Sequence, residues 1–456
     1  MKSKSEVGLR TEHDADLGAE RGTFRQHAES QTHEDGVRAA GARGRSRFHR
    51  LHSAGPRGLA CTAVFVLVVT GVAHAEGMQP ALSAARESKP IVDLRLRSET
   101  VDQTGMNEDA HAITMRARLG FETGKAWNTT LLAEGDLLWP LDSSYNSTVN
   151  GKTAYPVVAD AETYELNRLQ LTNTSIADTT LTVGRQRINL DDQRFVGNVG
   201  WRQNEQTFDS VRVVNKSIPK VTLDLSYVDQ VNRVFGKDSP VGRYHGASWL
   251  ANASYQLPVG KLTGFAYLLD FDEAPRDSSS TLGVRFTGER PVKKVKVAWV
   301  ASFARQQERA SNPLNYEADY YTVELTGTFR QYSLGAGVEM LEGDGVKGFS
   351  TPLATLHKFD GWADKFLTTP PNGLERRYVT AGYQRKGVGV LDTFSAAAVY
   401  HQFRSDRLGL DYGSEMDVQL QAKWHRFNAL LKYADYSADT FATDTSKYWA
   451  EINYVW

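Results

Sequence analysis

K-Y-W-A-E-I-N-Y-V-W, residues Lys447–Trp456, closes the chain. Read as a strand, it sends Tyr448, Ala450, Ile452, Tyr454 and Trp456 to one face and Lys447, Trp449, Glu451, Asn453 and Val455 to the other. One face is apolar with aromatic ends, and the other is mixed. Such a strand at the edge of a soluble sheet invites aggregation. A barrel closed in lipid removes the edge by pairing the last strand with the first. A terminal strand buried in a soluble sandwich is the alternative, and the rest of the chain decides between them.

Segments of about 9–12 residues, the length of a tilted membrane-crossing strand, recur from Ile91 onward with period-two patterning. In Ile91–Val101, Val92, Leu94 and Leu96 oppose Asp93, Arg95, Arg97 and Glu99. In His111–Thr123, Ile113, Met115, Ala117, Leu119 and Phe121 oppose Thr114, Arg116, Arg118 and Glu122. Met416, Val418, Leu420, Ala422 and Trp424 likewise oppose Glu415, Asp417, Gln419, Gln421 and Lys423. A soluble core does not accept that many charges on an inward face, whereas a water-filled lumen does. About eighteen segments follow this pattern; Glu165–Asn173 and Leu262–Phe271 are the weakest, so sixteen is the alternative count. Short turns such as Gly124-Lys125, Leu257–Gly260 and Trp424–Arg426 alternate with long links. The long links are Trp139–Glu162, Ile188–Glu205, Asp229–His245, Arg305–Glu317 and Glu342–Glu375. The fold predicted is an all-β, up-and-down antiparallel transmembrane β-barrel over residues 91–456.

Composition agrees. Mean hydropathy is −0.44, and no run of about 18 apolar residues offers a membrane helix. Low hydropathy is compatible with strands that alternate between lipid and a polar lumen. Upstream, Arg38, Arg43, Arg45, Arg47, Arg50 and Arg57 precede an apolar run, Leu59–Ala73, that ends in Ala73-His74-Ala75. This predicts an N-terminal extension and signal peptide over residues 1–75, cleaved after Ala75, and a short periplasmic segment over 76–90. Cys61, the one cysteine, precludes an internal disulfide. Residues 1–75 hold 11 of the 53 basic and 8 of the 54 acidic residues, so the remainder carries a net charge of −4. Bulk charge therefore argues against a nucleic-acid partner.

The chemistry concentrates in Gly184–Asp209, G-R-Q-R-I-N-L-D-D-Q-R-F-V-G-N-V-G-W-R-Q-N-E-Q-T-F-D. Arg185, Arg187, Arg194 and Arg202 are candidates to face an anionic solute, with Asp191, Asp192, Glu205 and Asp209 as carboxylates that orient them. A packed loop whose charges satisfy one another is the alternative. This stretch resembles the signature of the alginate-export family of outer-membrane barrels. R-L-R-S-E-T-V-D at Arg95–Asp102 resembles that family's first strand. The resemblance implies a monomeric eighteen-stranded channel with a basic lumen that conducts a polyanionic uronate.

Read from the residues, Arg95, Arg97, Arg116 and Arg118 form a positive stripe on two adjacent strands, offset by acidic neighbours such as Asp93 and Glu99. Fixed positive charge lowers the barrier for carboxylates. The expectation is an outer-membrane channel for anionic oligo- or polysaccharides such as alginate or oligouronates, with Glu342–Glu375 as a lumen plug or lid. A non-conducting surface-binding or structural barrel is the alternative. Outer-membrane lipid and the barrel-assembly machinery, met through the C-terminal strand, are the other expected partners. The histidines are scattered and no metal-ligand or catalytic spacing occurs, so no enzyme activity, metal or cofactor is expected.

Overall fold

The computed structural model describes residues 78–456. The expected signal peptide and its cleavage site lie outside the described residues. After a short helix, α1 (Met78–Arg86), the chain forms eighteen antiparallel strands. They are β1 (Lys89–Gln103), β2 (Ala110–Glu122), β3 (Thr129–Ser144), β4 (Thr163–Asn173), β5 (Thr179–Gln186), β6 (Thr207–Asn215), β7 (Val221–Asn232), β8 (Arg243–Leu257) and β9 (Gly260–Leu268). The second half comprises β10 (Ser279–Val292), β11 (Val295–Glu308), β12 (Glu317–Phe329), β13 (Tyr332–Leu341), β14 (Leu374–Val388), β15 (Leu391–Arg404), β16 (Asp411–Trp424), β17 (Phe427–Ala438) and β18 (Thr445–Val455). Each strand pairs with its sequence neighbours, and β1 also pairs with β18, Asp93 opposite Val455 through Gln103 opposite Thr445. The terminal strand thus closes the barrel, and no edge remains.

Alternation explains which way each strand faces. On β1, Leu96 is exposed outward while Arg97 and Glu99 are buried inward. The outer surface carries Leu96, Ile113, Leu225, Val323, Leu325, Leu334, Leu420, Leu431 and Ile452 in the open. Aromatic pairs bound this apolar band. Tyr433–Tyr448 and Tyr227–Trp249 lie toward the long loops, with ring centroids 4.9 and 5.1 Å apart. Phe427–Tyr454 and Tyr332–Tyr383, at 5.1 and 5.3 Å, lie toward the short turns. From Tyr448 to Trp456 a strand at the usual tilt climbs about 20 Å, close to the apolar height of an outer-membrane barrel. The helix α1 sits at the short-turn rim, where Gly124 N–H donates to the Ala84 carbonyl at 2.9 Å.

Long and short connections alternate around the barrel as the sequence predicts, with Glu165–Asn173 inside β4 and Leu262–Leu268 inside β9. The long connections do not all stay outside. The segment between β5 and β6 and the segment between β13 and β14 fold into the lumen and pair with each other. Val196 forms a parallel bridge with Leu353, and Thr355 N–H donates to the Gln193 carbonyl at 3.1 Å.

Candidate functional site

The β5–β6 segment crosses the lumen because both of its flanks find charged partners on opposite walls. On the first flank Asp191 accepts from Asn252 and Lys261 at 2.8 and 3.0 Å, and Asp192 accepts from Arg285 at 2.7 Å. Phe195 inserts its ring among Phe265, Tyr320 and Phe349, 4.9–6.1 Å away. Arg194 is fully buried and donates to Glu339 at 2.8 Å, with Asp360 of the β13–β14 segment at 3.1 Å. On the second flank Arg95 Nη1 donates to the carbonyls of Gly200, Trp201 and Arg202 at 3.3, 3.2 and 3.2 Å. Arg97 Nη2 donates to the Trp201 carbonyl as well. Gln203 donates to Thr114 Oγ1 at 2.9 Å, and Asn204 donates to Glu165 at 2.7 Å.

These contacts settle where each expected site residue lies. Arg95, Arg97, Arg116 and Arg118 do share one lumen patch, but none is free. Arg97 pairs with Glu451 at 2.6 Å, Arg116 with Asp93 at 2.6 Å, and Arg118 with Asp136 at 2.6 Å. Arg95 stands opposite Arg116, and Glu451 lies 3.3 Å from its Nε. Opposed like charges are tolerated here because each has a carboxylate partner. Arg95 and Arg97 thus hold the backbone of the crossing segment and Arg118 reaches its Glu205 at 3.3 Å, whereas Arg116 pairs, among the described residues, only with Asp93; the expected solute-facing stripe is occupied by these partners. Arg187 and Arg202 lie inside the lumen, paired with Glu205 at 2.5 Å and with Glu99 and Asp364 at 3.3 and 3.1 Å.

Arg185 requires a second correction. Strand register sets it opposite Leu169 and Asp209, and Asp209 opposite Gln230. That face carries exposed Leu169 and Val213 outward, so the Arg185–Asp209 pair, at 2.6 Å, decorates the outer surface. Of the four orienting carboxylates, Glu205 and Asp209 hold arginines of the motif. Asp191 and Asp192 instead reach Lys261 and Arg285 on the wall.

Toward the long-loop side a cavity of about 400 Å³ opens above the crossing segment. Val199, Phe235, Leu356 and Leu367 give it apolar walls, and Arg202, Arg233, Lys365, Lys447 and His357 line it with nitrogen. Among the described residues that line it, Asp364 is the one acid. Lys365 donates to Gln103 Oε1 at 3.1 Å and makes no ion pair with a carboxylate among the described residues. Burial, and then the charge of Lys447, pulls its pKa down to about 8.

Beneath the cavity lies a cluster that sequence inspection missed. Lys432 of β17 donates to His357 Nε2 at 2.5 Å, and its ammonium sits 3.7 Å from the Trp362 ring centroid and 4.8 Å from that of Trp201. Trp201 stacks on His357 at 3.5 Å with a 5° interplanar angle. His357 Nδ1 donates to Asp364 at 2.7 Å. Burial and the adjacent Lys432 hold the imidazole neutral, well below its ordinary pKa. Lys432 and Trp449 do carry an inward signal in strand parity. The loop residues Trp201, His357, Trp362 and Asp364 carry none, because irregular backbone has no period to read.

No protein-family model matches the chain, and no curated protein does. Solved structures do match. OccK9 (OpdG) of Pseudomonas aeruginosa is similar over 82% of this chain and 99% of its own, at 16% identity and a TM-score of 0.66. OpdK of the same organism, solved with vanillate, matches over 81% and 98% at 15% identity and 0.64. OccAB4 of Acinetobacter baumannii matches over 81% and 98% at 14% identity and 0.62. The resemblance of Gly184–Asp209 to alginate-export barrels gains no support from these matches. At such identities the likeness is one of fold: a closed eighteen-strand antiparallel barrel of the kind seen in the Occ/Opd outer-membrane porins.

Proposed function

We propose that this chain is a passive outer-membrane channel for small organic anions. The outer-membrane setting is supported by the lipid-facing apolar band, its aromatic borders and the porin fold. The observation that carries the choice of solute is the outer cavity, where Arg202, Arg233, Lys365 and Lys447 face a single carboxylate, Asp364. Excess fixed positive charge with low-dielectric walls concentrates carboxylates and lowers their entry barrier. Its apolar walls suit a solute with a compact hydrophobic body, and vanillate, an aromatic acid, is the compound in the similar OpdK structure. Uronate monomers and short oligouronates belong to the same anionic class. A continuous alginate chain fits less well, because two loops fold across the lumen.

Swelling of proteoliposomes tests this reading. Faster entry of 4-hydroxybenzoate or glucuronate than of neutral arabinose supports it, and equal rates for charged and neutral solutes contradict it. A second reading, a barrel that binds ligands without conducting, draws on the Trp201–His357–Lys432 packing that ties the two lumen loops to the barrel wall. Proteoliposomes that fail to swell with any solute would favour it.

A further inference from the structure

Asp364 has an unusual position for the one acid in a basic cavity. Its carboxylate accepts from Arg202 Nη2 at 3.1 Å, Lys447 Nζ at 3.0 Å and His357 Nδ1 at 2.7 Å, all in a buried setting. Charge-assisted bonds of this kind from three donors are the arrangement a bound organic carboxylate would receive. The residue is held at φ +61, outside the region L-residues prefer, and the segment bearing it has Gly361 and Gly373 at φ +82 and +75. Its three donors line the same cavity, as does Lys365 beside it.

We propose that Asp364 is an internal pseudo-ligand: its carboxylate fills a seat formed by Arg202, Lys447 and His357 that a solute carboxylate takes by displacing it. The inference rests on the reading of the outer cavity as an anion site. A solute first meets Lys365, which makes no ion pair with a carboxylate among the described residues, with its apolar body against Leu356 and Leu367. Exchange at Arg202 and Lys447 follows, and the freed Asp364 returns to water. Because His357 also touches Trp201 and Lys432, release of Asp364 loosens the packing between the two lumen loops. The solute itself thus unlocks its passage. Only the preferred carboxylate has this effect, since a ligand shifts an equilibrium by its differential affinity for the two states.

The test is a tryptophan-fluorescence titration of the purified, detergent-solubilised barrel with 4-hydroxybenzoate, with wild type compared to Asp364→Asn and Asp364→Ala. Removing an internal competitor raises the competent fraction, so both variants bind tighter, by about tenfold. Lys447→Met then weakens binding in either background. Affinity unchanged or lowered in both Asp364 variants overturns the proposal. Heat-modifiable gel mobility verifies that each variant is folded, and Asp364→Asn, which preserves shape, serves if Asp364→Ala does not assemble. The titration needs no conduction. A barrel that binds more tightly without Asp364 yet passes no solute would refute the channel and keep the pseudo-ligand, and the converse result would do the opposite.

Discussion

The guanidinium of Arg95 donates to the carbonyl oxygen of Trp201 at 3.2 Å, joining the first strand to a loop 106 residues later. The neighbouring carbonyls of Gly200 and Arg202 share the same donor, so the arginine grips a stretch of backbone. This relationship reverses the expected effect of removing a lumen arginine. A solute-binding arginine, once lost, reduces flux; a clamp, once lost, frees the loop. A hydrogen bond to a charged group contributes about 1.5–3 kcal/mol. Arg95→Ala should therefore shift the loop toward open forms by on the order of tenfold. The expected result in single-channel recordings is a larger or noisier conductance, and a smaller, quiet one would return the stripe to a solute-binding role.

Acid should release the same loop. Burial alone would raise the pKa of Glu205, but Arg118 and Arg187 hold it down to about 2. A carboxylate with a depressed pKa contributes stability that is complete above its unfolded value, 4.5, and lost as pH falls from there toward 2. The contribution is on the order of 3 kcal/mol. Protease nicking of the β5–β6 segment should be absent at pH 7 and appear below about pH 4. Glu205→Gln should be nicked already at neutral pH. Resistance of that variant at pH 7 would show that the clamp does not depend on this charge.

Alkali acts elsewhere. With its pKa lowered to about 8, Lys365 loses its charge well before an ordinary lysine would. Binding of an anionic probe should weaken as pH rises from 7 to 9, by roughly tenfold if Lys365 makes the main contact. Lys365→Arg, charged throughout this range, should abolish the dependence. A pH profile unchanged by that substitution would remove Lys365 from the contact.

Gly184 tests the register. It has φ +112, and a Cβ built there would lie 2.2 Å from the Leu169 carbonyl oxygen on β4. Positive φ in a non-glycine residue costs about 1–3 kcal/mol, and the clash adds to it. Gly184→Val should impair β4–β5 pairing and lower the yield of heat-modifiable folded barrel, whereas Gly105→Ala, with φ +90 but open space around its Cβ, should assemble at near wild-type yield.

The barrel itself was legible in the sequence because a lumen full of charge leaves a period-two record in most of the strands. Leu96 against Arg97 and Met416 against Asp417 each announce a wall between lipid and water. The site was legible only in part. Arg95 and Arg116 could be placed together, but the Gly200–Arg202 carbonyls that Arg95 meets lie in irregular backbone more than a hundred residues away and carry no period to read. The sequence offered Glu342–Glu375 as a lumen plug or lid; in the structure that segment bridges to the β5–β6 segment through Leu353 and Val196, a pairing of irregular backbone that no period foretells. Arg185 misled because its side depends on register within a short strand, and the Lys432 cluster escaped notice because loop residues supply most of it.

Whether this barrel passes anions is read from its reversal potential, measured on the refolded protein in a planar bilayer under a potassium chloride gradient. Anion-selective current, reduced by 4-hydroxybenzoate added on the long-loop side, is the expected result. A cation-selective reversal potential, or no current at all, would contradict it and leave the barrel as a fold without a channel for anions.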